Sequence, residues 1–106
     1  MTLDKQAVLE RIDNDLELFD EICDIFKDEG PGLVLKLREA VDTGEIQLAT
    51  RYAHSLKSSS ANIGAEALSE LARQAEHAGR MGDPGELRNL LPLIDAQLEE
   101  VIAELS

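Results

Sequence analysis

A histidine, a lysine and several small residues are grouped in one short stretch of the sequence, from His54 to Ala61. On a helix with about 100° per residue, Lys57 and Ser58 lie one turn from His54, and Ala61 lies nearly above it two turns along. A neutral imidazole is a competent nucleophile near neutral pH and can carry a phosphoryl group. Lys57 would place a positive charge beside such a group. Small Ser58 and Ala61 would leave the ring open to another macromolecule, so this stretch suits phosphoryl transfer between macromolecules.

The helix predicted to carry His54, residues 45 to 63, has an apolar side that does not include the histidine. That side is formed by Ala49, Tyr52, Ala53, Leu56 and Ile63. His54 points the other way, so we expect an exposed imidazole. An exposed histidine near a lysine is also ordinary on a solvated helix face. The spacing alone is therefore also compatible with His54 as an inert surface residue.

Helical spacing of apolar residues continues through the whole chain, interrupted by short runs of Asp, Asn, Gly and Pro. Besides residues 45 to 63, helices are predicted at 4–12, 16–29, from Pro31 to before Gly44, at 65–81 and at 86–105. Pro92, within the last of these, predicts a kink or a restart. The expected fold is all-α: an antiparallel four-helix bundle with two additional N-terminal helices, forming one domain over residues 1–106.

The charge and composition of the chain argue against several classes of function. The formal net charge is -12, from 22 acidic and 10 basic residues, which would repel phosphate backbones and anionic lipid. We therefore expect neither a nucleic-acid nor a membrane partner. Cys23 is the only cysteine and lies in an apolar stripe, so it is predicted to be a core residue. The longest apolar run is far below the roughly 20 residues of a spanning helix, which predicts a cytoplasmic protein.

The metal sites common in helical bundles do not match this sequence. A di-iron site needs Glu-x-x-His, but Arg51 stands three residues before His54, and Gln74 three before His77. The sequence has no His-Glu-x-x-His, phosphate-binding glycine loop or Gly-x-Ser-x-Gly motif. We therefore predict no metal and no cofactor bound by this chain.

The run His54-Ser-Leu-Lys-Ser-Ser-Ser-Ala-Asn-Ile-Gly-Ala65 resembles the H-x-L-K-[GS]-x-x-x-x-x-G-A signature of histidine-containing phosphotransfer (HPt) domains of multistep phosphorelays. The family's fold is a helical bundle. The resemblance implies that His54 is the phosphorylated residue and that Lys57 stabilises the phosphoryl oxygens. Ser58 stands where many members have glycine, which keeps the site small.

Two residues of the following helix also match positions near the family's site. Arg80 corresponds to a basic residue found there in some members. Glu76 falls where several members carry a glutamine that orients the imidazole. Its charge would favour the imidazolium form and weaken the nucleophile. Either an orienting residue or an ordinary surface carboxylate is compatible with the sequence at Glu76.

The resemblance implies a phosphocarrier without kinase activity of its own. His54 would attack the phospho-aspartate of a response-regulator receiver domain and later yield the group to an aspartate of a second receiver. The receiver would supply the Mg²⁺, a hybrid sensor kinase would be a further partner, and the chain would act as a monomer. Two alternatives stay open: a non-catalytic helical interaction module, and an HPt domain phosphorylated directly by an ATP-binding kinase domain.

An apolar docking patch is predicted beside the histidine. The first helix carries Val8, Leu9 and Ile12, more apolar residues than a bundle core would absorb. These three residues are therefore expected to contact the receiver domain.

Overall fold

The computed structural model describes residues 2–106, and they form five α-helices without a strand. The helices are α1 (Lys5–Arg11), α2 (Leu16–Asp42), α3 (Ile46–Asn62), α4 (Glu66–Arg80) and α5 (Pro84–Leu105). The all-α prediction is therefore confirmed. Among the described helices, none combines the length and apolar character needed to cross a membrane.

Helix α2 differs from the prediction because it runs unbroken through Gly30-Pro31-Gly32. The two helices expected on either side of Pro31 are one helix of 27 residues, so only α1 precedes the four long helices. The prediction of two additional N-terminal helices is wrong.

A continuous buried stripe explains why α2 does not break. Its members recur at intervals of three and four residues on both sides of the proline: Phe19, Cys23, Phe26, Gly30, Val34, Leu37 and Val41. A proline inside a helix costs about 3 kcal/mol, whereas burying each large apolar side chain contributes about 1.5–3 kcal/mol. The summed burial outweighs the lost hydrogen bond, and Pro31 itself is exposed. Cys23 is buried, as predicted.

The four long helices pack in a closed ring. Helix α2 packs against α3 and α5, and α4 packs against the same two helices. One cluster of buried apolar residues fills the space between them, with Leu37, Leu56, Leu68 and Ile94 fully buried. Helix α5 continues through Pro92, which is exposed, so that the helix neither stops nor restarts there.

Helix α1 lies across the turn between α3 and α4. The Asp4 N–H donates to the Gly64 carbonyl at 2.8 Å. Gly64 has φ +78°, and a Cβ added to it would lie 2.7 Å from the Asp4 carbonyl oxygen. Only glycine permits both this conformation and this close approach. Val8 packs beside Gly64 and is 1 % exposed, which attaches α1 to the core.

Candidate functional site

Helix α3 presents His54 to solvent, as its hydrophobic pattern predicts. Ala49, Ala53 and Leu56 of this helix are fully buried. The His54 side chain lies on the other side and is 56 % exposed. The imidazole is thus accessible to a second macromolecule while the helix that carries it is held by the core.

One carboxylate of α4 binds three side chains of this site. His54 Nδ1 lies 2.7 Å from Glu76 Oε2, and Lys57 Nζ donates to Glu76 Oε1 at 2.7 Å. Arg80, one turn further along α4, donates to Oε2 at 2.7 Å. The structure therefore brings together four of the residues that the sequence singled out, with Glu76 at their centre.

Glu76 is not a surface residue, so the alternative of an ordinary surface carboxylate is wrong. Its side chain is only 3 % exposed, although it carries a charge. Burial by itself raises the pKa of Glu76, but hydrogen bonds from Lys57 and His54 and the charges of Lys57 and Arg80 outweigh it. The pKa of Glu76 is therefore held below its ordinary value.

The state of Glu76 assigns the proton on the histidine ring. A carboxylate has no hydrogen to donate, so the contact with Glu76 requires the hydrogen on His54 Nδ1. In the neutral imidazole the other nitrogen then carries the lone pair. The ring thus has Nε2 as its free nucleophilic atom.

The other predicted site residues near His54 differ in their exposure to solvent. Lys57 is 31 % exposed, and its ammonium has three N–H donors, of which Glu76 takes one. Ser58 is exposed and Ala61 is half-buried. Arg11 of α1, which the sequence did not single out, donates to the Ala61 carbonyl at 3.0 Å. In the described part of the chain, no group of three or more His, Cys, Asp or Glu side chains could hold a metal ion.

The predicted docking patch on α1 is only partly exposed. Val8 is part of the core, and Leu9 and Ile12 are half-buried and pack against it. The prediction of Val8 as a partner-binding residue is wrong because the turn at Gly64 buries it. Leu9 and Ile12 retain only part of their surface for a partner.

A groove lined by both apolar and charged side chains lies instead between α2 and α3, with a volume of about 610 Å³. Its walls include Ile22, Ile25, Phe26, Leu33, Ser55 and Ser59. Ile25 is 54 % exposed, and Ser55 directly follows His54. The sequence does not predict this groove, since its α2 wall crosses Pro31, where the sequence predicts two separate helices instead of one.

Comparison with known proteins identifies the class of protein that this fold and site define. The family model described as Hpt domain matches residues 21–105. The chain belongs to the Hpt domain family, and it is a histidine phosphotransfer module of the phosphorelay type.

A solved structure gives the particular protein to which this chain can be compared. It is the crystal structure of histidine-containing phosphotransfer protein B (HptB) from Pseudomonas aeruginosa PAO1, with a TM-score of 0.89 and 21 % sequence identity. The alignment covers 98 % of this chain and 90 % of that chain. The search of curated proteins found no match.

Proposed function

We propose that His54 is the phosphoacceptor of this module and that it relays a phosphoryl group between aspartates of receiver domains. The observation that carries this proposal is the contact of His54 Nδ1 with the buried carboxylate of Glu76, while the ring stays more than half exposed. An orienting partner on one ring nitrogen leaves the other, Nε2, directed at an incoming group.

The transfer step uses only the imidazole of this chain. The lone pair of His54 Nε2 attacks the phosphorus of a receiver's aspartyl phosphate. The N–P bond forms, the bond from phosphorus to the aspartate oxygen breaks, and the aspartate carboxylate leaves with the electron pair. The ring keeps its Nδ1 hydrogen and becomes positively charged. The Glu76 carboxylate, 2.7 Å from Nδ1, balances that charge.

Lys57 and Arg80 have supporting roles in this proposal. The free N–H donors of Lys57 can bind the phosphoryl oxygens, since its Nζ is held one turn from His54 by Glu76. Arg80 shares Glu76 Oε2 with the histidine and keeps the carboxylate ionised. Small Ser58 and Ala61 leave space for the partner's active site.

We assign the remaining requirements to partners. The receiver domain would hold the Mg²⁺ and supply most of the charge stabilisation, and a hybrid sensor kinase would be the upstream donor. The chain would then be a carrier without kinase activity of its own.

We further propose that residues 1–106 act as one monomeric domain in the cytoplasm. The shared core of the five helices supports a single unit. The three-residue connections between consecutive packed helices support an antiparallel four-helix bundle with α1 added at one end.

The groove between α2 and α3 is our candidate for receiver docking. A receiver that reaches His54 must also cover its neighbour Ser55, and Ser55 forms part of the groove wall. The exposed side chain of Ile25 lies in the same groove and offers apolar area for the contact.

Replacing Ile25 with glutamate is expected to weaken receiver binding about tenfold, the scale of a typical interface anchor. The matched control is Leu93→Glu on α5, because Leu93 is 53 % exposed, like Ile25 at 54 %, and the change in charge is the same. Titration of each variant with a receiver domain measures the difference. Equal weakening by both variants would show that the added negative charge weakens receiver binding wherever it is placed, and the groove would not be the docking site.

The proposed function is tested with a receiver domain labelled at its aspartyl phosphate and mixed with this chain in the presence of Mg²⁺. We expect the label to move to the chain as an acid-labile phosphohistidine. Binding without transfer would instead support the non-catalytic interaction module. Labelling by a kinase and ATP, but not by a receiver, would support direct phosphorylation by a kinase domain.

A further inference from the structure

Helices α3 and α4 approach each other closely beside the site, at Thr50 and Gly79. A Cβ added to Gly79 would lie 2.0 Å from Thr50 Oγ1, 3.0 Å from its Cβ and 3.3 Å from its Cα. Gly79 is buried. The two shortest of these contacts are with the Thr50 side chain, so a larger residue at position 79 would meet that side chain before it met the backbone of α3.

This close approach lies one helical turn from the pair formed by His54 and Glu76. Thr50 precedes His54 by four residues on α3, and Gly79 follows Glu76 by three on α4. The contact of Glu76 Oε2 with His54 Nδ1, at 2.7 Å, therefore lies beside the point where the two helices approach closely.

We propose that Gly79 is a positioning residue: its missing side chain lets α4 approach α3 closely enough for Glu76 to orient the imidazole of His54. This inference rests on the proposed function of His54, and it adds a residue that does not touch the ring. Gly79 acts through the helix spacing, and Glu76 acts on the ring.

A rotation of the Thr50 side chain does not relieve the contact. Its hydroxyl donates to the Ile46 carbonyl at 2.8 Å, which holds Oγ1 in place. Even if Oγ1 turned away, Thr50 Cβ would remain 3.0 Å from the added carbon, because it does not move with χ1. The helices must therefore separate to accept alanine at position 79.

The test is Gly79→Ala, read out by nitrogen NMR of the two histidine rings. In the wild type we expect His54 to hold its hydrogen on Nδ1. In the variant we expect a mixture of the two tautomers, because the partner of Nδ1 has moved away. His77, exposed on α4, serves as the internal reference. The rate of phosphoryl uptake from a labelled receiver should fall about 10- to 100-fold, the scale of an ångström of misplacement.

A size exchange separates positioning from general destabilisation. Thr50→Gly in the same chain removes both Oγ1 and Cβ, so Gly79→Ala/Thr50→Gly should recover the wild-type tautomer and most of the rate. Gly85→Ala is the control for a helical glycine, since an added Cβ there meets only Asp83 Oδ1, at 3.6 Å. The single variant Thr50→Gly shows how much the new glycine by itself changes the tautomer and the rate.

These outcomes test the role of Gly79 independently of the function of His54. A folded Gly79→Ala variant with the wild-type tautomer and rate overturns it, and so does a folded double variant that does not regain the tautomer. If Gly79→Ala does not fold, the tautomer of His54 in the double variant still tests the role of Gly79. If the wild type takes up no phosphoryl group, the proposed function fails, while the tautomer measurement still tests the role of Gly79.

Discussion

Glutamine in place of His54 is expected to abolish phosphoryl uptake from a phosphorylated receiver domain. The lone pair of an amide nitrogen is delocalised into the carbonyl group and does not attack phosphorus, so no N–P bond forms. The His54 side chain is 56 % exposed, and the change should leave the core of the helical bundle intact. Label transfer, followed by separation of the two proteins, measures the result, and circular dichroism shows whether the helices are retained.

The chain contains its own control for this experiment. His77 is the only other histidine, and it is exposed on α4. His77→Gln should take up label like the wild type. Undiminished labelling of His54→Gln would contradict the assignment, as would a loss of labelling in His77→Gln alone.

Replacing Glu76 with alanine is expected to reduce the rate of uptake about 100-fold. The imidazole would lose the acceptor that holds its Nδ1 hydrogen, and Lys57 and Arg80 would lose the carboxylate that places them. The free energy of unfolding should also fall by about 1–3 kcal/mol, the scale of lost charged hydrogen bonds at a buried group. Single-turnover transfer and urea unfolding measure the two effects.

Glutamine at position 76 separates orientation from charge. Its amide oxygen can still accept the Nδ1 hydrogen, so Glu76→Gln should be faster than Glu76→Ala, although it lacks the charge that balances the phosphorylated ring. If the two variants were equally slow, the charge of Glu76 would matter and its acceptor role would not, which contradicts the orienting role proposed here.

The same glutamine variant has an expected pH signature in stability. The pKa of Glu76 is lower in the folded protein than its ordinary value of 4.5. A carboxyl group of this kind contributes stability above its unfolded pKa and loses that contribution as the pH falls through the folded one. The stability difference between wild type and Glu76→Gln should therefore be full above about pH 5 and shrink below about pH 4.5. Urea unfolding across this range measures it, and a constant difference would contradict the ionised state of Glu76.

Helical periodicity predicted most of α3 and the position of its histidine. The pattern of Ala49, Ala53 and Leu56 is local, and burying that side leaves His54 outward in any packing of the helix. The signature from His54 to Ala65 then indicated the chemistry, and the match to the Hpt domain family confirmed the class.

Local signals failed where a contact distant in sequence outweighed them. Gly30-Pro31-Gly32 has the composition of a turn, yet the buried stripe of α2 continues through it in a helix that packs against α3 and α5. Val8 looks like a surface anchor until the turn at Gly64 packs against it. Neither contact can be read from neighbouring residues in the sequence.

The sequence by itself determined the all-α class, the outward histidine and the small residues beside it, because these depend on periodicity within one helix. The tertiary structure alone decided that Glu76 is buried beside the ring. Glu76 and His54 are 22 residues apart on different helices, and their contact depends on the close approach of α3 and α4 at Gly79. The carboxylate of Glu76 is buried beside the imidazole only because α4, which carries it, packs against α3.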